Sequence, residues 1–220
     1  MLSPSSPAEL VQMIRDTSPD KHTVIVLGAG EWNLRESLDI RTPVTLRGSG
    51  EATLALDTDD HYVPAIAITS SDVEIESLRI RHRSPSVANN YAVYVQNAGN
   101  VTLRGLDISS TTGTGVAIEG GHGTIKIVDC HIHDNKNNGI GLFPDLMDGF
   151  GDAGEDGAED GAEDGAEGLK ILVSGTAVDR NGKEAIIGRG LGPWVELQLS
   201  TSDGLIRGGV ALKNCEAVMT

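Results

Sequence analysis

The sequence predicts an all-β fold, a coil of parallel strands in which each repeat makes one turn. Four segments share a pattern of alternating apolar and variable residues with a turn residue at the fifth position: 73–80, 101–108, 125–132 and 171–178. This alternation is typical of a strand with one buried face. A second short strand accompanies each copy, and its central apolar residues recur at intervals of 27, 23, 24 and 46 residues: Ile66, Val93, Val116, Ile140 and Ile186.

Each repeat is too short to bury its own apolar face, so neighbouring copies must stack. Helical repeats fit poorly, because the apolar residues alternate with period two, many are β-branched, and glycine recurs in every unit. The fifth-position residues favour tight turns and left-handed backbone: Ser77, Gly105, Asp129 and Gly175. We therefore expect three short strands per turn, with chemically alike residues lying above one another.

The segment 145–167 interrupts one repeat and carries much of the formal charge of −15. It contains ten Asp or Glu residues and no basic residue, and the chain without it has 22 acidic against 17 basic residues. Subtracting its 23 residues from the longest interval restores a spacing of 23, so we expect the register of the coil to continue across it. Its low-complexity Gly, Ala, Glu and Asp composition predicts a disordered acidic loop insertion.

The order of elements resembles a known superfamily. A short amphipathic helix is predicted at 8–16, and a first strand that ends in a Gly-rich turn follows within 23–32. Polar turns before a strand lie at 134–140 and 179–182. With the repeat, these features resemble the right-handed parallel β-helix, or pectin-lyase-like, superfamily over residues 8–220.

The resemblance implies one domain over residues 1–220, an all-β, single-stranded right-handed parallel β-helix (solenoid) of six or seven turns. It also implies a short N-terminal capping α-helix, which would cover unpaired strand groups at that end. Segments 195–199, 205–206 and 210–212 are interpreted as further strands, and no second cap is visible. Assembly with another chain through the C-terminal end is therefore one expectation.

Stacking brings charged residues together on one outward face of the coil. Two columns are predicted: Arg79, Asp107, His131 and Ala177, and, two residues on, Arg81, Ser109, His133 and Asp179. Because neighbouring strands lie ~4.8 Å apart, we expect Asp107 beside His131 and His133 beside Asp179.

This face is the candidate site. Asp107, His131 and Arg79 are the candidate catalytic residues, because a His–carboxylate pair can transfer protons and Arg can stabilise a sugar-acid carboxylate. The candidate binding residues are Arg81, His133, Asp179 and an outward aromatic, Tyr94. Opposite charges on adjacent exposed strands also occur as a purely structural feature. The two histidines with Asp179 are compatible with a transition metal, but the pattern is common by chance, so we expect neither a metal nor a cofactor.

The leading functional hypothesis is a non-catalytic β-helix module that presents a flat sheet face to a protein partner or a polysaccharide. The alternative is a polysaccharide-acting enzyme of lyase, hydrolase or epimerase type that uses the Arg, Asp and His face. The charge balance outside 145–167 argues against nucleic acid as a partner, and no apolar run is long enough for a membrane span. No secretory signal is visible, and Cys130 and Cys215 are interpreted as reduced thiols, so a cytoplasmic or other intracellular location is expected.

Overall fold

The computed structural model describes residues 1–49, 51–85, 90–143, 168–189, 191, 195–200, 206–213 and 218–219. The predicted acidic loop at 145–167 and Cys215 lie outside the described residues. So does the first residue of the strand predicted at 205–206. No helix in the described ranges is long and apolar enough to cross a bilayer.

One helix and three parallel sheets make up the described part of the chain, and the helix is α1 (Pro7–Arg15). The first sheet contains β1 (Thr23–Leu27), β4 (Val44–Gly48), β7 (Glu74–Glu76), β10 (Gly99–Arg104), β13 (His122–Val128), β16 (Leu169–Ser174), β19 (Val195–Ser200) and β21 (Val218–Met219). The second sheet contains β2 (Gly30–Leu34), β5 (Ala52–Asp57), β8 (Arg79–Arg83), β11 (Asp107–Ser109), β14 (His131–His133) and β17 (Ala177–Asp179). The third sheet contains β3 (Leu38–Ile40), β6 (Ile66–Ile68), β9 (Tyr91–Gln96), β12 (Thr114–Glu119), β15 (Ile140–Phe143), β18 (Ile186–Arg189) and β20 (Val210–Lys213).

The chain forms a right-handed parallel β-helix of about 6 turns, which confirms the predicted fold class. The column of second-strand apolar residues is in register from turn to turn: Ile66, Val93, Val116, Ile140 and Ile186. Strands on either side of residues 144–167 also pair in the predicted register, as Ile125 with Ile171 shows. A constant repeat length therefore sets which residues lie above one another.

Each predicted eight-residue copy is split between two sheets by its turn residue. Ser77, Gly105 and Gly175 have φ of 57° and Asp129 has φ of 54°, the left-handed region that was predicted for this column. The left-handed residue changes the chain direction, so the strand before it joins the first sheet and the strand after it joins the second. The site residues on the second sheet therefore follow this corner directly.

The core consists of aliphatic side chains stacked along the coil axis. In the second sheet, the inward residues Ile80, Ile108, Ile132 and Val178 form one fully buried row. The corresponding row of the first sheet contains Leu46, Ile75, Leu103 and Ile127. Burying such side chains contributes roughly 1.5–3 kcal/mol each, so the coil needs few aromatic residues.

The short N-terminal helix that the sequence predicts is present as α1. Ser6 is its N-cap, and the Ser6 Oγ accepts a hydrogen bond of 3.2 Å from the backbone N–H of Glu9. The helix buries the predicted apolar face of Leu10, Val11 and Ile14 and contacts β2 and β3. It thereby covers apolar side chains at the first turn of the coil.

Candidate functional site

The outward face of the second sheet carries the predicted charged columns. Arg79, Asp107, His131 and Ala177 are neighbours on successive strands, and so are Arg81, Ser109, His133 and Asp179. These residues alternate with the buried row, because successive side chains of a strand point to opposite faces. The register thus brings six of the seven predicted site residues onto one face of the coil.

The histidine and aspartate side chains pair diagonally instead of straight across the strands. His133 Nε2 lies 3.3 Å from Asp107 Oδ1, and His131 Nε2 lies 3.1 Å from Asp179 Oδ1. Asp107 and His131, and likewise His133 and Asp179, are neighbours on adjacent strands as predicted, but their side chains contact the diagonal partners. The two imidazole rings stack with centroids 3.9 Å apart. In this arrangement His131 contacts Asp179, which pairs with His133 along the backbone, and His133 contacts Asp107, which pairs with His131.

Two residues that the sequence analysis did not select complete the cluster. Asp134 and Arg180 directly follow β14 and β17, and both have left-handed backbone. Arg180 Nε and Nη2 donate to the two carboxylate oxygens of Asp134 at 3.0 Å, and Arg180 Nη1 donates to Asp179 Oδ2 at 3.1 Å. His133 Nδ1 lies 2.6 Å from Asp134 Oδ2. Extending the predicted columns by one residue beyond His133 and Asp179 would have selected this pair.

The charges of this cluster hold Asp134 ionised. The hydrogen bonds from Arg180 and then from His133 set the pKa of Asp134 well below its ordinary value. In turn, Asp134 raises the pKa of Arg180. Arg180 therefore joins two carboxylates, Asp134 and Asp179, each of which contacts one histidine. Among the described residues, Asp107, His131 and His133 also form a group whose ligand atoms lie within 4.8 Å of one another, close enough to hold a metal ion.

A shallow groove of about 520 Å³ crosses the same face from β2 to β14. Its polar lining includes Glu31, Glu51, Arg79, Arg81, Asp107 and His133. A second groove of about 400 Å³ shares Glu31 and Arg81 and adds Asp57 and Arg83. Of the predicted site residues, Arg79, Arg81, Asp107 and His133 line the first groove, whereas Glu31 and Glu51 were not predicted, because they precede the recognised repeat.

The arginines of β8 are paired with acids in two different ways. Arg81 forms a close ion pair with Glu31 across β5. Arg79 lies 3.8 Å from Glu51, and Arg83 lies 3.8 Å from Asp57, both beyond hydrogen-bond distance. The Arg81 Nε is buried and has no hydrogen-bond partner among the described residues. Arg79 and Arg83 therefore keep donors for a ligand or for water.

Tyr94 lies on the third sheet, away from the charged cluster. Its ring stacks on Tyr91 with centroids 5.2 Å apart, and its hydroxyl donates to Glu119 Oε2 at 2.6 Å. Burial, and next the nearby Glu119 carboxylate, raise the pKa of Tyr91. The outward direction of Tyr94 was predicted, but the sequence did not show that the second and third sheets face different sides. Tyr94 therefore does not contribute to the groove.

Cys130 occupies the inward column with Leu78 and Leu106 and is buried. Burial raises the pKa of its thiol to about 11, and the Sγ–H points at the backbone carbonyl oxygens of Leu103 and Val128. A protonated thiol is a poor nucleophile and a poor metal ligand. Cys130 is therefore a packing residue.

His82 is an inward-facing histidine of β8 and is fully buried. Its Nε2 lies 2.7 Å from the Val63 carbonyl oxygen, and its Nδ1 is buried without a partner in the described part of the chain. Burial lowers the pKa of His82 below its ordinary value, against smaller opposing effects of the Val63 carbonyl and of Asp57. The folded protein therefore holds this imidazole neutral.

Replacing His82 by Gln is expected to flatten the dependence of stability on pH. The unfolded histidine takes up a proton below about pH 6.5, but the folded one does so only at lower pH. The free energy of unfolding should therefore be unaffected above that value and fall as pH drops towards the lower folded-state pKa. Urea denaturation at about pH 7.5 and about pH 5 measures the difference. The exposed His22 provides the control, because His22→Gln should still lose as much stability between the two pH values as the unsubstituted chain. An equally large loss of stability in His82→Gln would refute the explanation.

Comparisons with known proteins agree with the fold. Residues 45–145 match the family model described as right handed beta helix region. No curated protein matches the chain significantly. An alginate lyase from Paenibacillus sp. superposes with a TM-score of 0.55 at 15% identity, over 92% of this chain and 68% of the lyase.

Two further solved structures are similar at lower scores. A pectin methylesterase in complex with a hexasaccharide has a TM-score of 0.47 at 13% identity, over 89% of this chain and 75% of that one. A pectate lyase has a TM-score of 0.43 at 9% identity, over 100% and 76%. At such identities the similarity is one of fold. The strand topology and the match of residues 45–145 together show that the chain has the right-handed parallel β-helix fold.

Proposed function

We propose that this chain is a binding module for an acidic polysaccharide, which lies in the grooves across the second sheet. The observation that carries the proposal is the row of three arginines on β8, Arg79, Arg81 and Arg83, all pointing into these grooves. Alternate residues of a strand are about 6.6 Å apart, so the row offers guanidinium groups at regular intervals. An extended polymer with repeated carboxylates matches such a row.

The chemistry of the grooves favours a sugar acid over an apolar ligand. Pockets for small apolar molecules are lined mainly by hydrophobic side chains, whereas charged and hydroxyl-bearing groups dominate here. Arg binds carboxylates through two parallel hydrogen bonds.

The same face is less suited to a protein partner. Protein interfaces are usually centred on large apolar or aromatic side chains that enter pockets. Of the described residues, the exposed large apolar ones are Met1, Leu2, Tyr62 and Val210, and all lie outside the second sheet. The alginate lyase that shares the fold acts, by its name, on a polysaccharide. That similarity concerns the fold, so the proposal depends on the groove itself.

Replacing Arg79 and Arg81 together by Gln is expected to weaken binding of oligouronates at least 10-fold. A hydrogen bond to a charged group contributes roughly 1.5–3 kcal/mol. The loss of a single bond at the lower end of this range already weakens binding about 10-fold. The double variant Arg47→Gln/Arg104→Gln removes the same charge from the first sheet and is the control. Isothermal titration with oligogalacturonate and oligoalginate, at about 0.15 M salt to screen long-range charge, measures the affinities.

Three results would contradict the proposal. They are absence of binding to either acidic oligosaccharide, equal weakening in the first-sheet control, and tighter binding of a neutral cello-oligosaccharide. Circular dichroism and a thermal melt of each variant show that the coil is intact. Preserved folding with lost binding in only the second-sheet variant is the expected outcome.

A second candidate function is cleavage of the bound polymer, which the position of His133 and Asp107 in the first groove favours. In β-elimination a base removes the C5 proton of a uronate, the C4–O bond breaks, and a C4–C5 double bond forms while the leaving oxygen gains a proton. An arginine beside the carboxylate stabilises the developing charge. Ultraviolet absorbance of the unsaturated product, compared between the natural chain and His133→Ala, separates cleavage from binding alone.

A further inference from the structure

We propose that Asp107, His131 and His133 form a binding site for a divalent transition metal of the zinc type. The three side chains each bring one potential ligand atom within 4.8 Å of the other two. All three residues are intermediate in exposure. The inference goes beyond polysaccharide binding and does not depend on it.

The strand geometry places the ligands on one side of the sheet. His131 and His133 are two residues apart on β14 and therefore point to the same face. Asp107 is the backbone neighbour of His131 on β11. The distance of 3.3 Å between His133 Nε2 and Asp107 Oδ1 equals the edge of a tetrahedron whose bonds are about 2.0–2.1 Å long, as at zinc. The ligand atom of His131 lies within 4.8 Å of both of these atoms.

A second set of residues orients the ligands as in known metal sites, where the non-ligating histidine nitrogen is usually held by a carboxylate. Asp179 Oδ1 contacts His131 Nε2 at 3.1 Å, and Asp134 Oδ2 contacts His133 Nδ1 at 2.6 Å. Arg180 binds both of these carboxylates and keeps them in place. Each histidine therefore has one nitrogen tied to an acid and the other one left for a ligand.

The nitrogen that remains on His133 has no other function in the described structure. His133 Nε2 is buried and has no hydrogen-bond partner, because its contact with Asp107 lacks hydrogen-bond geometry. Arg180 Nη2 lies 3.0 Å from His133 Nδ1, farther than the 2.6 Å between Nδ1 and Asp134 Oδ2. The shorter Nδ1–Asp134 contact assigns the ring proton to Nδ1, so Nε2 carries a lone pair.

The ligand set selects the class of metal. Two imidazoles and one carboxylate suit zinc, cobalt, nickel or copper, whereas calcium and magnesium prefer oxygen ligands. Three protein ligands leave a fourth position for water or a ligand. That position faces the first groove, since Asp107 and His133 line it.

The full chain, first treated with a chelator, is titrated with Zn²⁺ in a buffer that contains excess Mg²⁺ and no saccharide. The Mg²⁺ occupies carboxylate clusters, so the titration is expected to show one saturable Zn²⁺ site per chain. Co²⁺ should produce visible d–d absorption without the thiolate bands that would indicate cysteine ligands. Asp107→Asn, His131→Gln and His133→Gln should each abolish this site. Asp179→Asn, which removes only the orienting carboxylate, should weaken it about 10- to 100-fold.

His61→Gln changes an exposed histidine outside the cluster and should leave the affinity unchanged. The proposal would be overturned by any of three results: no saturable Zn²⁺ binding, thiolate bands with Co²⁺, or Zn²⁺ affinity in the three ligand variants equal to that of the unsubstituted chain. Asp179 is only 8% exposed, whereas the other substituted positions are partly or fully exposed. A thermal melt verifies that each variant is folded. Since no saccharide is present in the titration, its result is separate from the test of polysaccharide binding.

Discussion

Replacing Asn135 by Ala is expected to lower the free energy of unfolding by about 3 kcal/mol, since two buried polar groups would each lose a partner at roughly 1–3 kcal/mol. Asn135 is 2% exposed and follows β14. Its Oδ1 accepts from the backbone N–H of Thr111 at 3.1 Å, and its Nδ2 donates to the Ile108 carbonyl at 3.3 Å. Alanine removes both contacts and offers nothing in return.

The loss extends to the next turn of the coil. Asn135 Nδ2 also donates to Asn181 Oδ1 at 2.9 Å, and Asn181 Nδ2 donates to the Ile132 carbonyl at 3.1 Å. The two asparagines thus join three successive turns at the same corner. In a coil whose turns contact only their neighbours, a weakened junction lowers the stability of both flanking segments.

Urea denaturation followed by far-ultraviolet circular dichroism measures the effect. Asn33 is an exposed asparagine of β2, so Asn33→Ala should change the stability by less than about 0.5 kcal/mol. A loss of under about 1 kcal/mol in Asn135→Ala, the net value of one ordinary hydrogen bond, would show that the asparagine junction is not a principal link between turns.

Replacing Ile132 by Ala is expected to cost about 2–5 kcal/mol, and Ile132→Val about 0.5–1.5 kcal/mol. Ile132 is fully buried between Ile108 and Val178 of the neighbouring turns. Across the coil it packs on Gly115, where an added Cβ would lie 2.7 Å from Ile132 Cγ2. Gly115 has no side chain that could move into the vacated space.

Guanidinium denaturation of the graded pair tests this explanation. The loss should grow with the number of methyl and methylene groups removed, because the cost combines lost transfer free energy with residual cavity volume. Val210→Ala, at a position that is 37% exposed, is the control and should have a small effect. Equal stabilities of Ile132→Val and Ile132→Ala would contradict this explanation, because the lost transfer free energy alone differs between them.

The backbone arrangement was predictable because the protein is a stack of repeats. When turns of nearly constant length stack, residues that are one repeat apart in the sequence lie above one another. The columns that contain Val93 and Asp107 follow from this. The left-handed corner at Asp129 was predictable for the same reason, since its residue type favours that conformation. The acidic segment could be recognised as an insertion because subtracting its length from the interval between Ile140 and Ile186 restores the usual repeat length. The two residues are indeed neighbours on adjacent strands.

The side-chain arrangement of the site was not predictable from the register. The period of the strands says that His131 and His133 share a face, but the stacking of their rings and the diagonal contacts depend on side-chain rotamers. Arg180 was missed because it follows the strand and reaches back to Asp134 on the previous turn.

Local patterns thus establish the strands, the corners and the columns, because these depend on period, residue type and repeat length. The separation of Tyr94 from the groove, the approach of Glu31 to Arg81 across a strand, and the asparagine junction at Asn135 arise only when the turns are assembled. They are contacts between residues far apart in the chain, and their geometry follows from the angles between sheets and from packing. The side-chain contacts on the outward face of the second sheet are therefore determined by the tertiary structure, whereas the strands that carry them can be predicted from the sequence.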